Sequence, residues 1–296
     1  MFSVIPIQSL PFDKKSRHNW PVDVLRMDKI HTVVSGNKWF KLSGYLDSAQ
    51  EKQSNTIVTF GGAYSNHIVA TAFAARLRGF NSIGVIRGER PAVLSHTLLN
   101  ALDYGMELQF VSRTDYRDKT ALQQSIDPRA AYYWIPEGGY GTLGAAGVRD
   151  MLKGIPVWDY THIVTAVGTG TTMAGLIQGI LPYQTVIGIP ILNNLNSIQS
   201  EIEQLLPKAD LVKNYSLLAG YSFGGYAKKS QALLDFMNQT YQSVKLPLDF
   251  VYTAKAFYAL TDYLQKAELA ADSKILFIHT GGLQGNLSLP SGSLCY

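Results

Sequence analysis

The stretch "THIVTAVGTGTTMAGLIQGI", residues 161–180, decides the fold class. Its first half, His162 to Val167, is a short apolar and β-branched run closed by glycine, as expected of a strand buried on both faces. Its second half passes Gly168 and Gly170 into a helix-forming run. The same order recurs along the chain: "TIVTF" before "YSNHIVATAFAARLRG", "SIGVIRG" before "VLSHTLLNALDYG", then "ELQFVS", "AYYWIPEGG", "TVIGIP" and "KILFIHTGG". Strands that alternate with amphipathic helices form parallel sheets covered on both sides, so the expected class is α/β with open, twisted, mainly parallel sheets. Grouping the elements places a small inserted α/β domain at residues 44–149 and a larger domain at 1–43 and 150–296.

Composition narrows the function. With 296 residues and 46% hydrophobic content the chain can fill one large core or two ordinary ones. The net charge of +4 is spread without a basic run, which suggests neither nucleic acid nor a membrane surface as partner. The nearest approach to a patch, "DKKSRH" at 13–18, reads as a solvated turn. The single cysteine, Cys295, cannot close an internal disulfide, and the six histidines lack metal-ligand spacing. A reducing compartment and a metal-free site are expected. "MFSVIPIQSLPFD" has neither a basic n-region nor a continuous apolar segment, and no run approaches the roughly 18 apolar residues of a membrane span. A cytoplasmic protein is expected.

Ligands of open parallel sheets bind beyond the carboxyl ends of the strands, so the turns leaving the strands are where chemistry belongs. Four stand out. In "TFGGAYSNH" a glycine pair leads to Ser65, Asn66 and His67 in the first turn of a helix, where backbone N–H groups lack partners; either Ser65 or Asn66 alone reads equally well as an N-cap. In "VGTGTTMAG" Gly168 and Gly170 permit close backbone approach, and Thr169, Thr171 and Thr172 add hydroxyls at a helix N-terminus, a cup for a phosphate. The cup has no P-loop lysine, and neither the third glycine nor the downstream acid of a dinucleotide fingerprint is present. A simple phosphate monoester fits best.

In "AGYSFGGYAKK" Gly220, Ser222 and Gly224 match the nucleophile elbow of α/β-hydrolases, with His279 and Asp249, Asp262 or Asp272 as partners; no oxyanion segment of the HGGG kind precedes it. A serine hydrolase using Ser222 is therefore a remote alternative. In "FIHTGGLQGN" His279 reads as a core histidine, while Thr280 sits where a ligand ring could lie; upstream, "DFVYTAKAF" sets Tyr252 and Thr253 at the mouth of a helix.

A phosphate cup without a metal invites a second question, namely which amine serves it. "VSGNKWFKL", residues 34–42, carries Lys38 and Lys41. By charge pattern alone both are solvated cations. A lysine amine can, however, form a Schiff base with an aldehyde cofactor, and pyridoxal 5'-phosphate (PLP) supplies both that aldehyde and a phosphate monoester.

The segments "SGNKWFKL", "GGAYSNH", "GTGTTMAG", "VYTAK" and "HTGG" resemble the corresponding segments of the 1-aminocyclopropane-1-carboxylate (ACC) deaminase and D-cysteine desulfhydrase family, fold type II PLP enzymes of the tryptophan-synthase-β-like class. The resemblance covers almost the whole chain. It implies a PLP lyase with Lys38 as the Schiff-base lysine and Asn66 bonded to the cofactor's 3'-oxygen. Gly168 to Thr172 would hold the phosphate, and Ser65 with His67 the substrate carboxylate. Tyr252 would stand near the substrate, with Tyr226 a second tyrosine. Ser35 replaces a family glycine and Phe40 a family arginine. A homodimer acting on a small amino acid is also implied.

Two positions bear on the substrate. In the family, deaminases carry Glu after the late tyrosine and Leu before the late glycine pair, whereas desulfhydrases carry hydroxyl residues; here they are Thr253 and Thr280. A carboxylate at the first position would keep the pyridine nitrogen protonated and strengthen the ring as an electron sink. The expected reaction is therefore α,β-elimination, converting D-cysteine to pyruvate, sulfide and ammonia with Lys38 as the base. ACC deamination to α-ketobutyrate is the alternative. Lys41, one helical turn beyond Lys38, is left with a supporting electrostatic role.

Overall fold

The computed structural model describes residues 4–11, 20–31, 34, 36–266 and 269–296, and among these described residues ten strands form two sheets. The segment "DKKSRH" and Ser35 lie outside the described residues. The larger sheet has the order β1 (Ile7–Ser9), β2 (Val22–Arg26), β10 (Ile275–His279), β7 (His162–Val167), β8 (Thr185–Pro190), β9 (Tyr215–Leu217). The smaller has the order β5 (Met106–Val111), β4 (Asn81–Arg87), β3 (Thr56–Gly61), β6 (Tyr133–Ile135). All neighbouring strands run parallel except β1 against β2. The helices, in chain order, are α1 (Asn37–Glu51), α2 (Asn66–Leu77), α3 (His96–Asp103), α4 (Lys119–Ile126), α5 (Thr142–Leu152), α6 (Thr171–Gly179), α7 (Leu195–Glu203), α8 (Gln231–Val244) and α9 (Thr253–Lys266).

The apolar runs that signalled strands are apolar throughout because both faces are covered. In β10, Leu276 and Ile278 join Ile163 and the α5 and α6 side chains on one face, while Ile275 and Phe277 join Val164 and the α8 and α9 side chains on the other. Each such burial stabilises by about 1.5–3 kcal/mol. In the smaller sheet Ile57 and Ile135 pack with Leu42 and Leu46 of α1 and with Ala70 and Ala74 of α2. Val58, Phe60 and Val85 meet Tyr116 on the opposite face.

Helix α1 spans the two sheets. Its body packs against the smaller one, yet its start is fixed to the end of β10, where the Asn37 N–H donates to the Thr280 carbonyl at 3.2 Å. Gly36 makes this junction possible: its φ is +81°, and a Cβ there would overlap the Thr280 carbonyl oxygen. Helix α5 lies across α1 at similarly close range, since a Cβ on Gly147 would overlap the Phe40 carbonyl. The cut points expected at 43/44 and 149/150 both fall inside these bridging helices.

Strands β1, β2 and β9 were not legible as strands. Two of them have three residues each, and β1 and β9 are the edges of the larger sheet. Among the described residues no helix is long and apolar enough to cross a membrane.

Candidate active site

The turns at the carboxyl ends of β3, β6, β7 and β10 close around the start of α1. Asn37 is buried, and its Nδ2 donates to the Thr172 hydroxyl at 2.8 Å, tying the lysine-bearing turn to the glycine–threonine loop. Lys38 follows with its Nζ 3.2 Å from the Asn37 Oδ1 and 6.0 Å from the centre of the Tyr252 ring. Burial pulls the Lys38 ammonium down to about 8, opposed in part by the Asp249 carboxylate. Lys41, 4% exposed, is pushed well below the ordinary lysine range by burial and then by the charge of Lys38. Both lysines face inward, against the plain charge-pattern reading.

Ser65 takes the N-cap position of α2, but its side chain makes no capping bond, so the hydroxyl is free for another partner. Asn66 has a buried Oδ1 without a hydrogen-bond partner. His67 is 2% exposed, with Nε2 2.9 Å from the Thr59 hydroxyl, and that hydroxyl lies 2.8 Å from the Ile135 carbonyl. A carbonyl can only accept, so Thr59 donates its one hydrogen to Ile135 and accepts from the Nε2–H of His67. The neutral ring therefore presents Nδ1 as a bare acceptor, and Nδ1 is buried and unpartnered. Burial, then the positive charges of Lys38 and Lys41, hold the imidazole well below its usual range, which keeps it neutral.

Strand β7 runs into the Gly168–Thr172 loop, where Gly170 adopts a left-handed conformation and α6 begins at Thr171. Thr169 and Thr171 hydroxyls lie 3.2 Å apart, and Thr172 keeps its own hydrogen after accepting from Asn37. These hydroxyls surround the open N–H groups of the first α6 turn, a donor set that suits an anion. A Cβ on Gly168 would press on the Tyr252 ring, so the loop and that tyrosine share a wall.

At the start of α9 a buried carboxylate organises the backbone. Asp249 accepts from the N–H groups of Val251, Tyr252 and Thr253 and from the Thr253 hydroxyl at 2.7 Å. The Thr253 oxygen in turn accepts from the Asp249 N–H. Thr253 is fully buried, and its hydroxyl is committed to this box. Burial, then the neighbouring phenol of Tyr226, drives the Tyr252 phenol far above its usual range, and desolvation raises that of Tyr226. Their rings meet edge to face at 6.1 Å. Thr280 is nearly buried and holds α1 through its carbonyl. His279 lies beneath this layer with Nε2 2.8 Å from the Pro247 carbonyl and Nδ1 3.4 Å from Asp28, itself paired with Arg26. It is a core histidine.

Three contributors escaped the sequence reading. The turn after β6, Glu137–Gly139, reaches into the site: a Cβ on Gly139 would touch Lys41 and His67, and one on Gly138 would touch Thr169. "PEGG" at a strand end was the available signal. Asp249 was read only as a hydrolase acid, whereas it caps α9; the box D-x-x-x-T was the signal. Thr59 lay unnoticed inside a strand. The hydrolase alternative has no geometric support: Ser222 follows the edge strand β9, with no helix before α8, and His279 is engaged elsewhere.

The residues fit the cofactor implied by the resemblance. Two buried amines, two orphaned acceptors and a loop of hydroxyl and N–H donors are what an aldehyde bearing a phosphate and a phenolic oxygen would complete. The comparisons agree. A family model described as "Pyridoxal-phosphate dependent enzyme" matches residues 24–281. A Pyrococcus furiosus protein named "Putative 1-aminocyclopropane-1-carboxylate deaminase" is 34% identical, over 95% of this chain and 90% of its own. The Arabidopsis thaliana mitochondrial protein named bifunctional D-cysteine desulfhydrase/1-aminocyclopropane-1-carboxylate deaminase is 28% identical, over 88% of this chain and 72% of its own. A crystal structure described as an ACC deaminase homologue superposes with a TM-score of 0.80 at 30% identity, covering 96% of this chain and 91% of that one. The chain belongs to the pyridoxal-phosphate-dependent enzymes, in the family that holds the ACC deaminases and D-cysteine desulfhydrases.

Proposed function

We propose that the protein is a lyase that carries out α,β-elimination on a small D-amino acid, converting D-cysteine and water to pyruvate, hydrogen sulfide and ammonia. The observation that carries this reading is the pair Thr253 and Thr280. Neither is a carboxylate, and the Thr253 hydroxyl is spent on Asp249, whose own charge is spread over three N–H groups. The site thus favours α-proton removal over opening a ring that has no α-proton.

When bound, PLP supplies an aldehyde that captures amines and a ring that withdraws electrons from the substrate Cα. The protein's groups divide the remaining work. Lys38, with its ammonium lowered to about 8, is partly a free amine at neutral pH and can bond to the aldehyde and later take the α-proton. The Gly168–Thr172 loop would hold the phosphate, with Thr172 fixed by Asn37, and Lys41 would add a hydrogen-bond donor. Asn66 would turn its amide to the cofactor's 3'-oxygen. The carboxylate is held by the Ser65 hydroxyl and the open N–H groups of α2, because the His67 N–H is already given to Thr59 and its Nδ1 can only accept. The phenols of Tyr252 and Tyr226 stay protonated and can donate hydrogen bonds to the departing sulfur.

The relatives' names favour a second reading, ACC to α-ketobutyrate and ammonia. Product analysis separates the two: D-cysteine should give pyruvate much faster than ACC gives α-ketobutyrate, and the reverse order would sink the assignment. We place the enzyme in the cytoplasm, on its cysteine usage, and as a homodimer, on the family resemblance, and assign residues 44–149 to an inserted domain, as the two separate sheets support.

A further inference from the structure

Lys255 is fully buried on α9, three residues beyond Tyr252, and takes no part in the proposed reaction. Its Nζ donates to two backbone carbonyls, Ser222 at 2.8 Å and Gly225 at 2.6 Å. These are the carbonyls that close two successive turns: the Gly225 N–H donates to Ser222, and the Lys228 N–H donates to Gly225. Tyr226 sits inside the second turn. The turns are wound against the ordinary preference of L-residues, since Phe223 has φ +50° and Ala227 φ +54°, with Gly224 and Gly225 also left-handed. A segment with two non-glycine residues in that region relaxes unless something outside it fixes its shape. Packing supplies part of this at Phe223, whose ring meets Tyr258 edge to face at 5.1 Å, but residues 226–230 are exposed.

We propose that Lys255 is a positioning residue, an ammonium clasp that holds the 222–228 loop in its left-handed turns and thereby keeps Tyr226 against Tyr252. Each carbonyl accepts from both a turn N–H and the cation, and charge-assisted bonds of this kind are the stronger sort. Burial lowers the ammonium to about 8, with Asp249 supporting its charge. The clasp joins Tyr226 to the helix that begins directly after Tyr252, so the two phenols move as one unit. The functional half of this claim rests on the site assignment of Tyr226; the structural half does not.

Limited trypsin digestion of the PLP-loaded protein tests the structural half, because Lys228 and Lys229 are exposed on the loop. Lys255→Met should raise the rate of cleavage after these lysines about tenfold, the population change expected on losing a charge-assisted hydrogen bond. Lys255→Arg should stay near wild type, and Lys255→Gln, uncharged but still a donor, should fall between; this order holds even if the methionine variant does not fold. Equal cleavage rates in wild type and Lys255→Gln would overturn the clasp. For the functional half, Tyr226→Phe should lower kcat/KM in the wild-type background and change it less than about twofold in the Lys255→Gln background. Full additivity would show that Lys255 does not act through Tyr226. An inactive protein that still shows the cleavage order would fail the proposed reaction and leave the clasp standing.

Discussion

Replacing Thr59 with Val removes a single oxygen from the interior of β3 and should be felt in two places. The hydroxyl is fully buried and bridges the Nε2–H of His67 at 2.9 Å and the carbonyl of Ile135 at 2.8 Å. Valine keeps the shape and leaves a buried donor and a buried acceptor without partners. Each orphan costs about 1–3 kcal/mol, and exchanging hydroxyl for methyl returns up to about 0.8 kcal/mol. The net loss is therefore about 1–6 kcal/mol, which lowers the urea midpoint by about 0.4–2 M for an m-value near 3 kcal/mol/M. Thr59→Ser should restore most of it. The second effect is on the ring: 15N spectra of labelled histidine should show His67 protonated on Nε2 and bare on Nδ1 in the wild type, with that preference lost in Thr59→Val. A wild-type spectrum with the proton on Nδ1, or a stability loss below about 1 kcal/mol, would refute the reasoning.

Other outcomes follow from the same geometry. Lys38→Ala should yield a protein that develops no Schiff-base absorbance with PLP, while Lys41→Ala keeps the absorbance and weakens PLP retention, as read by dialysis. Because the Lys38 ammonium lies near 8, capture of PLP by the apoprotein should quicken about tenfold per pH unit below that value and level off above it, where an ordinary lysine would still be gaining; stopped-flow absorbance reads this directly. His67 resists protonation in the fold, whereas in the unfolded chain it titrates near 6.5, so its contribution to stability is complete above 6.5 and is lost as pH falls. His67→Gln should flatten that limb in urea titrations. Gly36→Ala combines a left-handed φ with overlap on the Thr280 carbonyl and should cost about 2–5 kcal/mol, detected as a lowered urea midpoint together with weaker PLP binding.

The sequence by itself determined the fold class and the cofactor class. Short β-branched apolar runs ended by glycine and alternating with amphipathic helices read as strands covered on both faces, and such strands put their outgoing turns at one edge; "TFGGAYSNH", "VGTGTTMAG" and "FIHTGG" were therefore legible before any coordinates. Short strands such as β9, set at a sheet edge, were not, because three residues carry too little pattern. Tertiary structure alone decided what each polar atom is free to do. Lys41 reads as a surface cation until α1 is packed under Gly139, and Thr253 reads as a free hydroxyl until Asp249 claims it. His67 reads as a carboxylate donor until Thr59 takes its only N–H. Sequence lists donors and acceptors, but each hydrogen can be given once, and which partner receives it is fixed by distances between residues far apart in the chain.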